Sequence, residues 1–328
     1  MFDRSSKRIT LVRHGESLAN RGLRWQGQGD SSLSELGESQ ARAVATRLAG
    51  RHFDRVVSSD LERAAATARA LERKFGTDAS LREFDIGAWE GLTREQVVAQ
   101  YPEELARLDR GEDVAIGGGE SYSSFCARVD ASLARLRDSL EPGEHALVVC
   151  HGGVIGALVS GALGLRGVRN LPIARVFNTS ISELSYDAEG RATLHVFNDS
   201  LHLSALSLFP HPVEMTQAVA LVCEGVPDER FGPFEAHYDF EHGMTCEPRA
   251  LGDSAAAFSA VLERVRALHP ERRVALSASA GRICGWAGET VWNNLVPVGK
   301  LHAPVAGALC HVVARDGVIS LVDYGVSI

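Results

Sequence analysis

Arg13-His14-Gly15 follows directly on the strand-forming run Ile9-Thr10-Leu11-Val12, so a guanidinium and an imidazole stand together where a buried parallel strand would end. Arg13 offers a planar fork of donors that suits a phosphate, and His14 carries a ring nitrogen able to attack phosphorus. The pair reads as a nucleophile beside an anion clamp. A second imidazole, His151, follows Ala146-Leu147-Val148-Val149-Cys150 and precedes Gly152-Gly153 and an apolar helical stretch. The partial positive charge of a helix N-terminus there would also favour an anion. Arg63, close behind a short strand over residues 55–57, supplies a second guanidinium. A proton donor has three candidates, Glu83, Asp85 and Glu90, in the irregular, aromatic-lined stretch 81–91, and the residues themselves do not choose among them.

Three times a strand-like run ends in polar residues and a helical pattern begins, so one sheet edge collects the chemistry. Ser59 with Glu62 three residues later is a capping-box pattern, which predicts the helix start and puts Arg63 about one turn inside it, at the edge that holds His14. The Gly-, Gln- and Asp-rich loop 21–32, with Trp25-Gln26-Gly27-Gln28, is too polar for a core and is placed over the pocket mouth. Ser34 caps a helix with Ala41, Val44, Ala45 and Leu48 at helical spacing, ended by Gly50. Thr93 with Gln96 caps a short helix that stops before Pro102. Gly117-Gly118-Gly119 reads as a flexible hinge ahead of a long helix with Phe125, Val129, Leu133 and Leu136 on one face.

At 328 residues the chain is comfortable for two domains, and its 45% hydrophobic and 23% charged content is that of a globular protein. A net charge of −8 disfavours a general nucleic-acid binder. The six cysteines are scattered without metal-ligand spacing and read as reduced thiols. Residues 1–8 lack an apolar core and no later run reaches membrane-spanning length, so the expectation is a cytoplasmic protein with no membrane partner.

Leu11-Val12-Arg13-His14-Gly15-Glu16-Ser17, Ser58-Ser59-Asp60-Leu61-Glu62-Arg63-Ala64, Leu81-Arg82-Glu83 with Trp89-Glu90-Gly91, Gly118-Gly119-Glu120-Ser121 and His151-Gly152-Gly153 together resemble the histidine phosphatase superfamily, the phosphoglycerate mutase-like proteins. They stand in that family's order and spacing over residues 8–203, and Asn198-Asp199-Ser200-Leu201-His202-Leu203 resembles its closing segment. The resemblance implies a three-layer, doubly wound, mostly parallel α/β sheet. It makes His14 the nucleophile that becomes phosphohistidine, Arg13, Arg63 and His151 the phosphate pocket, and Glu83 the acid. Asn20 and Gln26 match positions that reach the phosphate or its neighbour. It implies no cofactor and no metal.

Residues 1–208 are therefore expected to form a histidine phosphatase domain, and residues 209–328 a smaller α/β domain that lacks these motifs but resembles a worn copy of the first. Val219-Ala220-Leu221-Val222-Cys223-Glu224-Gly225 lies on residues 9–15, with Cys223 for Arg13 and Glu224 for His14. Gly252-Asp253-Ser254 with Phe258 and Leu262 lies on residues 119–129. Residues 274–281 lie near the strand that ends at His151, and residues 310–313 and 318–322 on 180–184 and 193–197. Counterparts of Arg63 and Glu83 are missing. The expected activity is metal-independent hydrolysis of a small phosphorylated metabolite. The competing readings are mutase-type phosphoryl transfer and a regulatory protein with a sensing site; the stretch 84–91 resembles the phosphatase branch. Oligomeric state is left open, with dimer contacts among the roles open to the second domain.

Overall fold

The computed structural model describes residues 5–166 and 176–204, the strand stretches 219–223, 236–239, 274–278, 308–315, 318–321 and 326–327, and residue 283. The chain divides into two compact units. One comprises Met1–Gly161, Val176–Arg191 and His202–Leu208, the other Ala162–Arg175, Ala192–Leu201 and Phe209–Ile328.

The elements in chain order are β1 (Lys7–Arg13), α1 (Leu18–Arg21), α2 (Glu35–Leu48), β2 (Arg55–Ser58), α3 (Glu62–Ala70) and β3 (Gly76–Thr77), then α4 (Arg94–Gln100), α5 (Pro102–Asp109), α6 (Tyr122–Asp138), β4 (His145–Cys150) and α7 (Gly152–Leu163). After these come β5 (Ile181–Tyr186), β6 (Ala192–Asp199) and α8 (Leu201–Ser204). Within the first unit the strands run in the order β3-β2-β4-β1-β5. Strands β3, β2, β4 and β1 pair parallel, and β5 pairs antiparallel with β1. The first unit is thus the three-layer, doubly wound α/β fold expected.

Strand β4 is buried along its whole length and β1 over its last five residues, which is why both are near-continuous apolar runs. Helices α2 and α3 cover them through a core of Val12, Val44, Leu48, Phe53, Ala64, Ala68, Leu71, Leu147 and Val149. Burying each of the larger side chains contributes about 1.5–3 kcal/mol. The caps expected at Ser34 and Thr93 form, the latter as a full capping box. On α6, Phe125 and Val129 are buried while Leu133 and Leu136 are half-buried.

The triple glycine departs from its expected role. Residues 116–118 form a tight 3-10 turn packed against a second one at residues 87–89, over a small core of Ile86, Trp89, Val97 and Ile116. Gly117 has φ +55, and a Cβ there would collide with the Ile86 carbonyl oxygen. Glycine is required by close backbone approach at this site, so the segment is a packed joint, not a hinge.

The second sheet contains β7 (Val219–Cys223), β8 (Ala236–Asp239), β9 (Val274–Ala278), β10 (Ala308–Arg315), β11 (Val318–Leu321) and β12 (Val326–Ser327), in the order β11-β10-β7-β9-β8 with β12 beside β10. Its central strand β7 has a parallel neighbour β9 and an antiparallel neighbour β10, as β1 has β4 and β5. Placing Cys223 on Arg13 puts the pairs Val222–Ser277 and Val222–Leu309 on Val12–Val149 and Val12–Ile181. The pair Asp239–Ser277 then falls on Ser58–Val149, so β8 takes the position of β2, a strand the sequence reading did not foresee. Glu224, the stretch around Gly252-Asp253-Ser254, Phe258 and Leu262, residues 279–281 and the boundary near Leu208 lie outside the described residues. No helix among the described residues is long and apolar enough to cross a membrane.

Candidate active site

β1 delivers Arg13 and His14 to the carboxyl edge of the sheet, where the loop after it is tightly bonded. The His14 amide donates to the Cys150 carbonyl at 2.9 Å, and the Gly15 amide donates to Thr67 Oγ1 at 3.0 Å. His14 Nδ1 lies 2.6 Å from the Gly15 carbonyl oxygen. A carbonyl only accepts, so the ring proton sits on Nδ1 and Nε2 carries the lone pair. His14 is buried, and burial together with the charges of Arg13 and Arg63 holds its pKa well below the ordinary value, leaving the ring neutral.

Arg13 donates through Nη1 to the Val176 carbonyl at 2.6 Å and reaches Asn20 Oδ1 at 3.5 Å. Asn20 is placed by the capping box of α1, in which Ser17 accepts from the Asn20 amide and the Asn20 side chain accepts from the Ser17 amide. The Ser17 hydroxyl in turn donates to Gln26 Oε1 at 2.7 Å. Asn178 donates to both the His14 carbonyl and Asn20 Oδ1.

The start of α3 corrects the expected capping box. The residue preceding the helix is Leu61, with no side-chain cap, and Arg63 is the second helical residue. Ser59 instead pairs its hydroxyl with His151 Nε2 at 2.8 Å. The Leu61 amide also donates to Ser59 Oγ, at 3.4 Å, so the hydroxyl joins His151 to the residue that precedes the helix without capping its first turn. Arg63 is only 1% exposed, and its two Nη atoms donate to the Gly27 and Gly29 carbonyls at 2.7 and 2.9 Å, which ties the polar loop to the sheet edge. His151 packs edge-on against His14 with ring centroids 5.1 Å apart. Its pKa too is held well below the ordinary value, by burial first and then by His14, Arg63 and Arg13.

The three competing acids have different partners. Glu90 accepts from the Gly27 and Gly29 amides, so it serves the same loop as Arg63. Asp85 accepts from the Gly87 amide and closes the 3-10 turn. Glu83 alone reaches α7: its Oε2 accepts from the Gly153 amide at 2.9 Å, and Oε1 from the Phe84 amide at 2.9 Å. A carboxylate is thereby seated on a helix N-terminus two residues from His151.

Of the seven residues singled out beforehand, Arg13, Asn20 and Gln26 are joined through Ser17, and His14 packs on His151, while Arg63 is held by the loop next to Gln26 and Glu83 by the helix that follows His151. Arg63 Nε, His151 Nδ1 and Gln26 Nε2 are buried without a hydrogen-bond partner among the described residues. Buried nitrogens gathered with two guanidiniums make surroundings that suit an anion. Sequence reasoning missed Thr67, Ser17 and Asn178. Thr67 stands one helical turn after Arg63, which was a readable signal; Asn178 had none.

The family model described as histidine phosphatase superfamily (branch 1) matches residues 9–200, more than half of the chain. A glucosyl-3-phosphoglycerate phosphatase of Mycobacterium tuberculosis is 40% identical over 194 residues, covering 55% of this chain and 86% of the relative. The protein named "Probable phosphoglycerate mutase GpmB" of Escherichia coli is 37% identical over 183 residues, covering 54% and 84%. The solved structure of the mycobacterial glucosyl-3-phosphoglycerate phosphatase in complex with VO3 superposes with a TM-score of 0.53 at 39% identity, covering 59% of this chain and 99% of that one.

Proposed function

Given that the chain belongs to the histidine phosphatase superfamily (branch 1) and is a phosphoric monoester hydrolase of that family, we propose that it hydrolyses a small phosphorylated metabolite through a phosphohistidine on His14. The observation that carries the reading is the His14 Nδ1 contact with the Gly15 carbonyl, which leaves Nε2 free to act as nucleophile in a ring kept neutral by its surroundings.

In the first step the Nε2 lone pair forms the bond to phosphorus while the bond to the ester oxygen breaks, and Glu83 gives that oxygen its proton. In the second, water attacks the phosphohistidine, Glu83 takes the proton from water, and inorganic phosphate leaves with His14 restored. Charge on the phosphoryl oxygens is met by Arg13, Arg63, His151 and the N-terminus of α7; Asn20 and Gln26 border the same site. Losing one such donor typically raises a barrier by about 2.7–4 kcal/mol. Positive charge supplied by these side chains supports a reaction that needs no divalent metal, and activity should survive a chelator.

The test is phosphorylation of the full chain with labelled substrate. Acid-labile, base-stable label is expected on wild type and absent from His14→Ala; label persisting on the variant would overturn the assignment. The substrate follows from a panel of sugar phosphates, phosphoglycerates, nucleotides and glucosyl-3-phosphoglycerate, the compound named for the mycobacterial relative. Release of inorganic phosphate, as against return of the phosphoryl group to another hydroxyl, separates hydrolysis from mutase-type transfer.

A further inference from the structure

We propose that Arg128, held by Glu120, is a positioning residue that fixes the reach of Glu83 toward the leaving oxygen. This rests on the reading of Glu83 as the proton donor.

Glu83 stands in a stretch with little regular structure, between two 3-10 turns, so no strand or helix of its own sets its direction. Its place is set from outside, by one guanidinium on α6. Arg128 has five N–H groups, and the structure gives all five an acceptor. Nε and one Nη2 hydrogen form a bidentate pair with Glu120, both at 2.7 Å. The two Nη1 hydrogens go to the carbonyls of Ser80 at 2.9 Å and Arg82 at 3.0 Å, and the remaining Nη2 hydrogen goes to the carbonyl of Glu83 itself at 3.2 Å. Glu120 completes the bracket from the other side: its Oε2 accepts from the Asp85 amide at 3.0 Å, and its own amide donates to the Asp85 carbonyl at 2.9 Å. The guanidinium also lies over the Phe125 ring, 5.3 Å from its centroid, which fixes its plane.

Backbone groups at residues 80, 82, 83 and 85 are thus tied to one ion pair, while the Glu83 carboxylate is tied to α7 through Gly153. With both its main chain and its side chain held, the carboxyl is offered at one place. Small displacements of such a group are costly, since proton transfer needs hydrogen-bond reach. A lysine at 128 keeps the charge but has three donors and no fork, so it cannot hold the same five acceptors.

The experiment uses the full chain as Arg128→Lys, Glu83→Gln and the double variant, each assayed on glycerol phosphate and on p-nitrophenyl phosphate. Alkyl leaving groups need the proton and nitrophenolate hardly does. Arg128→Lys is expected to lower kcat/KM, which reports the first phosphoryl transfer, by about 10²-fold on glycerol phosphate and by less than about 5-fold on p-nitrophenyl phosphate. Inhibition by inorganic phosphate should stay unchanged, and the double variant should be no slower than Glu83→Gln alone. If Arg128→Lys fails to fold, Glu120→Gln, which weakens the same bracket, is expected to show the same substrate selectivity. Equal losses on both substrates, or additive losses in the double variant, would reduce Arg128 to a structural clamp and overturn the proposal. Equal losses for Glu83→Gln itself would instead sink the underlying assignment of the acid.

Discussion

His14 and His151 are held neutral by burial and by neighbouring positive charge, and this ties stability to pH. In the unfolded chain both would titrate near 6.5, whereas in the folded chain both take a proton only well below that. His145, buried beside β1, is pushed down to about 3, chiefly by burial, and acts in the same direction. Below about pH 6.5 the unfolded state binds more protons, so stability is full above that pH and falls by about 1.4 kcal/mol per pH unit for each such histidine. Thermal denaturation from pH 7.5 to 5 should show the loss, and saturating inorganic phosphate should shrink it, because an anion beside the rings favours their charged forms. A melting temperature flat across that window would contradict the neutral-histidine picture. At Glu83 the expected signature is chemical: Glu83→Gln should slow the first step, read as kcat/KM, by about 10²–10⁴-fold for alkyl phosphates and far less for p-nitrophenyl phosphate. Equal slowing of both would return Asp85 and Glu90 to the competition.

Two elements depend on a glycine at a close approach, one to a side chain and one to backbone. The first turn of α7 must leave room for the Glu83 carboxylate, and a Cβ on Gly153 would collide with Glu83 Oε1. Gly153→Ala should therefore drive the carboxylate off the helix end and cost about 10² in kcat on alkyl phosphates. Helix propensity alone favours alanine by about 1 kcal/mol, so stability should change little. An alanine variant with wild-type turnover would show that Glu83 does not act from this seat. The 3-10 joint behaves oppositely: Gly117→Ala meets both a positive φ and the Ile86 carbonyl, and should destabilise by about 1–3 kcal/mol as read from a denaturant melt. The expected caps at Ser34 and Thr93 form because each stands directly before its helix, and Ser34 caps α2 while its hydroxyl also donates to Glu16 at 2.7 Å; Ser59 stands two residues before Leu61, the residue that precedes α3, and is not placed to cap its first turn.

For the whole chain we propose that residues 209–328 descend from the same sheet as residues 1–208 and are catalytically silent. Matching strand order, strand direction and pairing register around β7 and β1 support this. On that alignment Cys223 replaces Arg13, and Glu224, next in sequence, replaces His14, so the position that attracts phosphate in one half carries a carboxylate in the other. The full chain carrying His14→Ala should then hydrolyse no phosphomonoester above background. An experimental structure should superpose β7, β8, β9 and β10 on β1, β2, β4 and β5. Residual hydrolysis lost on further substitution beyond residue 209, or a C-terminal sheet of different strand order, would end this reading.

The sequence by itself determined the parts whose causes are local: buried strands written as apolar runs, most helix starts, and the Arg13-His14 pair that follows β1 in the chain. It also carried enough spaced motifs to imply the fold of the first unit. Residue chemistry left Glu83, Asp85 and Glu90 alike and only the family resemblance implied Glu83; the tertiary structure brings Glu83 to the helix that follows His151, through a partner 70 positions distant. It decided that Ser59 joins His151 to the Leu61 amide and does not cap α3, and that the triple glycine is a tight joint and not a hinge. It also placed β8 beside β9 in the second sheet, a strand no motif announced. Each of these depends on long-range hydrogen bonds and close approaches, whose energies exist only once the chain has folded and which leave no period or spacing in the sequence to read.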